Sequence, residues 1–144
     1  MKPKEFLSRV EHDQIVKAIQ QAEKKTSGEI RVFISRHDPE DALKAAQKHF
    51  DELGMHRASE KNGVLIYVAP RAHKFAVIGD AGVHERCGNK FWDALAAEMS
   101  GHFKRGAFTE GLVHAVNKAG ELLAEHFPRN PGSRNNAAGA VEEG

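Results

Sequence analysis

Val64–Ala69 reads VLIYVA, a run with no polar residue in it. A strand with one wet face alternates apolar and polar side chains, so a run like this must be covered on both faces and belongs at the centre of a sheet. A second apolar run, Phe75–Ile78, follows almost at once. Pro70–His73 turns the chain between them, so the two runs pair as a hairpin with the second strand over about Lys74–Ile78. Asn62-Gly63 precedes the first run and Gly79-Asp80 follows the second. Pairing therefore brings both polar ends to one edge of the sheet.

The flanking segments supply the cover. Ser8 and Glu11 are spaced as a capping box, and Ile15, Ile19 and Ala22 recur at helical spacing, which predicts a helix over about 9–25 ended by Gly28. Glu29–Ser35, EIRVFIS, is rich in β-formers. Ile30, Val32 and Ile34 share one face, and Glu29, Arg31, Phe33 and Ser35 the other. Asp38-Pro39 has the pattern of a helix start, Leu43, Ala46, Phe50 and Leu53 form a stripe, and Gly54 suits the exit, giving a second helix over 39–53. Residues 80–88 read as a polar loop. Asn89–Phe103 is helical, with Phe91, Leu95, Met99 and Phe103 on one face. Thr109 can cap a last helix carrying Leu112, Val116, Leu123 and Phe127, which Pro128 stops.

The expected order is α-β-α-β-β-α-α, an α/β fold with a small mixed sheet of three to four strands sandwiched between helices. The β-α-β unit makes the first two strands parallel through a right-handed crossover, and the hairpin adds an antiparallel third. Residues 1–128 form the domain. From Arg129 the sequence RNPGSRNNAAGAVEEG has almost no large apolar residue, so 129–144 is expected to be a disordered tail.

Composition narrows the function classes. The chain has 144 residues, 21 basic and 20 acidic, for a formal charge of +1. So even a balance gives no footprint for nucleic acid or anionic lipid. Cys87 is the single cysteine, so no intrachain disulfide forms. The N-terminus lacks an apolar signal core, and no run approaches the ~18 apolar residues of a membrane span. The expected location is the cytoplasm, unless a leader or an anchor has been removed.

The series TSGEIRVFIS, HFDELGM, RASEKNGVLIYVAPRAHKFAVIGDAGV, FWD, FKRGAFTEGL and AGELLAEHFP resembles the TPM domain family over about residues 5–128. The resemblance is to a branch without a signal peptide or membrane anchor. It implies a small mixed sheet between helices, in line with the residue-level reading. Members of the family have been linked to acid phosphatase activity, to photosystem II repair and to calcium binding. Fold similarity alone assigns none of these reactions.

The strand directions place Glu29, Asn62 and Asp80 at one edge, with Arg57 and Glu60 in the preceding loop and His84 and Glu85 in the loop that follows. Carboxylates with an amide oxygen suit a hard cation, calcium or magnesium, and Glu29, Asn62, Asp80 and Glu85 are the candidate ligands. The family's calcium association points the same way, although an acidic DxDxDG loop is absent. Each residue also has a structural reading. Glu29 can cap amides or pair with Arg57, Asn62-Gly63 can simply turn, and Asp80 can cap a short helix.

The opposite edge offers a rival. The helix start at 38–39, with Arg36, His37, Arg71 and His73, would suit an anion at the carboxyl ends of parallel strands; solvated loop charges explain the same residues. Phosphatase chemistry needs a nucleophile, a metal or both. The sixth position after Cys87 is Asp93, so no Cys-x5-Arg phosphate loop is present, and there is no GxxxxGK[ST] run. Nearby His84 and Arg86 could lower the Cys87 pKa, although a structural role is the ordinary one. The nine histidines show neither HExxH nor zinc spacing with cysteine, and His114 and His126 are expected to face solvent. The reading is an accessory module that binds a divalent cation at a loop edge, with room for a protein partner, ahead of a metal-assisted phosphohydrolase.

Overall fold

A computed structural model describes residues 9–35, 37, 39–54, 62–69, 74–88, 90–128 and 141–143. The elements are α1 (Arg9–Glu23), β1 (Glu29–Ile34), α2 (Ala42–Glu52), β2 (Gly63–Ala69), β3 (Lys74–Gly79), α3 (Ala81–Cys87), α4 (Lys90–Lys104), α5 (Phe108–His126) and β4 (Val141–Glu143). The sheet order is β3-β2-β1-β4. β1 runs parallel to β2, with Glu29 opposite Gly63 and Ile34 opposite Val68. β3 is antiparallel to β2, with Val64 opposite Gly79.

All seven residues of β2 are buried, as an uninterrupted apolar run requires. Its alternate side chains feed two separate cores. Val64, Ile66 and Val68 join Ile30, Val32 and Ile34 of β1 beneath α1, α4 and α5, where Ile19, Met99, Leu112 and Val116 close the cluster. Leu65, Tyr67 and Ala69 face the other way and pack with Ala46 and Phe50 of α2. Each large side chain buried this way contributes about 1.5–3 kcal/mol.

Several local expectations shift. α2 begins three residues later than Asp38-Pro39 suggests, because Asp41 is the residue whose carboxylate accepts from the Lys44 backbone N–H at 3.2 Å. Leu43 then stands in the first turn and is 58% exposed, off the expected stripe. The 80–88 segment is not an irregular loop, because Asp80 caps a short helix within it. Thr109 does not cap α5. The N-cap is Ala107, and the Thr109 hydroxyl donates to Glu11 Oε2 at 2.5 Å, tying α5 to α1. In the stretch expected to be a disordered tail, Val141–Glu143 lie parallel to β1 opposite Val32–Ile34. That edge otherwise presents a row of backbone donors and acceptors, a ready template for a short strand. Ser8, the expected cap of α1, lies outside the described residues, as does the 70–73 turn.

The chain crosses itself at one end of the sheet. The Thr26 hydroxyl donates to the Phe127 carbonyl, and the Ser27 N–H donates to the same oxygen at 3.0 Å. Thr26 and Pro128 form an isolated bridge. Glu23, fully buried, accepts from the Ile30 N–H at 2.9 Å, so a carboxylate stands where a neighbouring strand would. Between α1 and α5 a Cβ built on Gly120 would sit 2.6 Å from the Ala22 Cβ. The two helices approach as closely as they do because position 120 has no side chain.

On the α2 side the His49 ring stacks on Phe33 at 3.9 Å between centroids, with Tyr67 5.7 Å away. Burial drives the imidazole below the ordinary histidine value of 6.5, against the pull of Glu52. The unfolded chain therefore binds this proton at a higher pH than the folded one.

Two outcomes follow from this packing. Gly120→Ala should lower stability by about 1–3 kcal/mol despite alanine's better helix propensity, read as a lower urea midpoint. Stability should fall as pH drops through 6.5 and keep falling until the folded-state pKa is passed, while His49→Phe, which keeps a ring on Phe33, should flatten that part of a pH series of urea melts.

Candidate functional site

The polar edge forms where the sheet ladder ends. Glu29 is in register with Gly63, and the Asp80 N–H donates to the Gly63 carbonyl at 2.9 Å, extending the β2–β3 pairing by one residue. The backbones of Glu29, Asn62-Gly63 and Asp80 thus meet at one end, as the strand directions require.

The side chains there already have work. Glu29 Oε2 accepts from Arg31 Nη2 at 3.0 Å and Nε at 3.1 Å, two residues along the same face of β1. Asn62 is 2% exposed and its Nδ2 donates to Ser27 Oγ at 3.2 Å. Asp80 Oδ1 accepts from the Ala81 N–H at 2.7 Å, and its carbonyl accepts from Val83 and His84 N–H groups. The other carboxylate oxygen, Asp80 Oδ2, is buried and has no hydrogen-bond partner among the described residues. Glu85 is exposed on α3, five residues past Asp80. At about 100° per residue that puts it roughly 140° round the helix from Asp80. His84, one turn after Asp80, lies closer to its face and is exposed. Among the described residues no three His, Cys, Asp or Glu side chains are arranged to hold a metal ion. Arg57 and Glu60 lie outside the described residues.

At the opposite edge the Ser35 N–H donates to the Val68 carbonyl at 2.8 Å, and Ser35 Oγ accepts from the His37 N–H at 3.0 Å. Lys74 Nζ donates to the carbonyls of Pro39 and Glu40 at 2.9 and 3.1 Å, binding the approach to α2 onto the start of β3. His37 is exposed. Arg36, Arg71 and His73 lie outside the described residues.

Two polar features were not anticipated from the sequence. One is the Glu23 carboxylate on β1. Its signal was present, since Glu23 continues the buried i, i+4 stripe of Ile15 and Ile19. The other is a surface pairing across α4 and α5, where the part-exposed His114 has its Nε2 2.9 Å from Glu98 Oε2. Residues on different helices sixteen positions apart leave no periodic trace.

The sequence matches the TPM domain family over residues 1–122. Among solved structures, the chain resembles the BA42 protein of the psychrophilic bacterium Bizionia argentinensis, with 37% identity, a TM-score of 0.89 and 96% of each chain covered. The N-terminal domain of the cg2496 protein of Corynebacterium glutamicum shares the fold at 15% identity and TM-score 0.62, covering 96% of this chain and 81% of that one. An N-terminal domain from P. gingivalis does so at 17% and 0.63, covering 85% and 79%. No curated protein sequence matches. Among the described residues no helix is long and apolar enough to cross a membrane.

Asp80 separates capping from any other role. Asp80→Ala should cost about 1 kcal/mol in urea unfolding through loss of the α3 cap, whereas Asp80→Asn, which keeps a capping oxygen, should stay within a few tenths.

Proposed function

The chain belongs to the TPM domain family, and from that footing we propose that it is a binding module that takes a hard divalent cation, calcium or magnesium, at the edge around Asp80 and offers that edge to a protein partner. The observation that carries this reading is Asp80 Oδ2, a buried carboxylate oxygen with no hydrogen-bond partner among the described residues. Such an oxygen gains most from a cation, because burial penalises a charge that nothing compensates. The neighbouring groups are oxygen donors of the kind such ions prefer. Glu29 and Asn62 stand at the same sheet end, the Gly63 carbonyl there accepts the Asp80 N–H, and exposed Glu85 adds negative charge on α3. A cation would draw Glu29 away from Arg31, which sets the affinity low and the site's demands on calcium concentration high.

A metal-assisted phosphohydrolase is the second reading. It uses the same ion as a Lewis acid, and the one-turn spacing of Asp80 and His84 favours it by placing a proton carrier near the metal anchor.

Calcium and magnesium titrations of isotope-labelled protein should shift the amides of Glu29, Asn62 and Asp80 at millimolar metal, with Asp80→Asn weakening the response roughly tenfold or more while the rest of the spectrum is kept. A flat response at those amides ends the cation reading. For the hydrolase, turnover of a generic phosphomonoester must require metal. Turnover that survives Asp80→Ala and Glu85→Ala unchanged would come from a contaminant.

A further inference from the structure

The backbone of β1 serves two neighbours by turns. In a strand, successive N–H groups point to opposite sides, so alternate residues address the same neighbour. The Ser35 N–H donates to the Val68 carbonyl of β2 at 2.8 Å, which sets Phe33 and Arg31 toward β2 as well. The Ile30 N–H points the other way and donates to the buried Glu23 carboxylate at 2.9 Å. Val32 and Ile34 share the side of Ile30 and face away from β2. Glu23 closes this outer edge at Ile30. What it leaves for another strand is the N–H and carbonyl groups of Val32 and Ile34.

β4 takes up that remainder. Its register puts Val141 opposite Val32 and Glu143 opposite Ile34. In a parallel ladder the residue between them, Glu142, gives its N–H to the Val32 carbonyl and its carbonyl to the Ile34 N–H. β4 is only three residues long and begins just past Ile30, where a strand carbonyl would meet the Glu23 carboxylate. So few ladder bonds make a weak lock, because each adds little once its exchange with water is counted. The sequence between α5 and β4 adds no anchor of its own, since residues 129–140 read RNPGSRNNAAGA without a large apolar side chain.

We propose that the outer edge of β1 at Val32 and Ile34 is an acceptor for an extended segment of a partner protein, with β4 as its resident competitor. β4 displays the chemistry the edge accepts: a β-branched apolar residue in register with Val32, then two acidic residues, running parallel to β1. Strand addition of this kind draws its affinity from main-chain hydrogen bonds and its selectivity from alternate side chains. Because β4 belongs to the same chain, it competes at an effective concentration on the order of a millimolar. A partner strand therefore has to bind more tightly than β4 or find β4 displaced. The surface lies toward the Ile34 end of β1, whereas the Asp80 cluster gathers at the Glu29 end.

The test uses the full chain carrying Glu142→Pro, which deletes the ladder donor of β4 and changes nothing up to the end of α5. Amide hydrogen exchange is read first. Val32 and Ile34 should exchange roughly tenfold or more faster than in the unaltered chain, while Arg31, Phe33 and Ser35 stay protected by β2 and Ile30 by Glu23. A synthetic peptide of residues 136–144, NAAGAVEEG, is then titrated to about 5 mM. It should shift and protect the Val32 and Ile34 amides of the variant, and shift those of the unaltered chain several-fold less. The same peptide with proline in place of its first glutamate should shift neither. Unchanged exchange at Val32 and Ile34 in the variant would show that β4 does not hold the edge. No peptide response, or an equal response in both chains, would remove the acceptor site. A variant that becomes dimeric in light scattering without peptide would make a second copy the occupant and overturn the partner strand. Calcium response at Asp80 is independent of all these outcomes.

Discussion

Everything in this fold is arranged around a strand that has no wet side. β2 buries all seven residues, so neither face of the sheet can be left to solvent. That single demand dictates helices on both sides, a parallel neighbour reached through α2, and a hairpin partner in β3. It also divides the interior. Odd and even positions of β2 belong to different cores, with Val64, Ile66 and Val68 in one and Leu65, Tyr67 and Ala69 in the other. Removing a large side chain from β2 leaves a void that helices pinned on either side can only partly close.

The two cores differ in how they are held. The first is enclosed by α1, α4 and α5, and these helices are laced together by polar contacts as well as packing. The Thr26 and Ser27 bonds to the Phe127 carbonyl, the Glu11–Thr109 bond and the close passage at Gly120 all join distant parts of the chain. Among the described residues the second core is covered by one helix, α2, with Lys74 fastening the approach to it. Contacts of large sequence separation are slow to form because loop closure precedes their reward. The α1–α5 closure, which joins the first and last helices, is of that kind, whereas the β2–β3 hairpin is local.

What the sequence disclosed follows the reach of periodicity. The unbroken VLIYVA run announced a central strand, and the alternation of Ile30, Val32 and Ile34 assigned the faces of β1, because both signals are local and repeat. The meeting of Glu29, Asn62 and Asp80 was legible for the same reason, since strand direction alone determines it. What those side chains do once there was not legible. The Glu29–Arg31 pair, the Asn62–Ser27 bond and the choice of Asp41 over Asp38 as a cap depend on distances of a few ångströms that no spacing encodes. Asp80 is the instructive case. Its role as a helix cap was one of the readings open from the sequence, while the buried state of its second oxygen emerges only from packing. The Glu98–His114 contact was invisible because its members lie on separate helices.

The split interior has a practical side. The chain contains one tyrosine and one tryptophan. Tyr67 lies in the core under α2, 1% exposed, and Trp92 lies in the core under α1, α4 and α5, 8% exposed. Each layer thus carries its own intrinsic fluorophore. Selective excitation of Trp92 reports on one side of β2, and Tyr67 emission, quenched or not by the His49 stack, reports on the other. Coincident transitions from the two would mean that the shared strand welds both layers into one cooperative unit, and separated ones that the single-helix layer opens first.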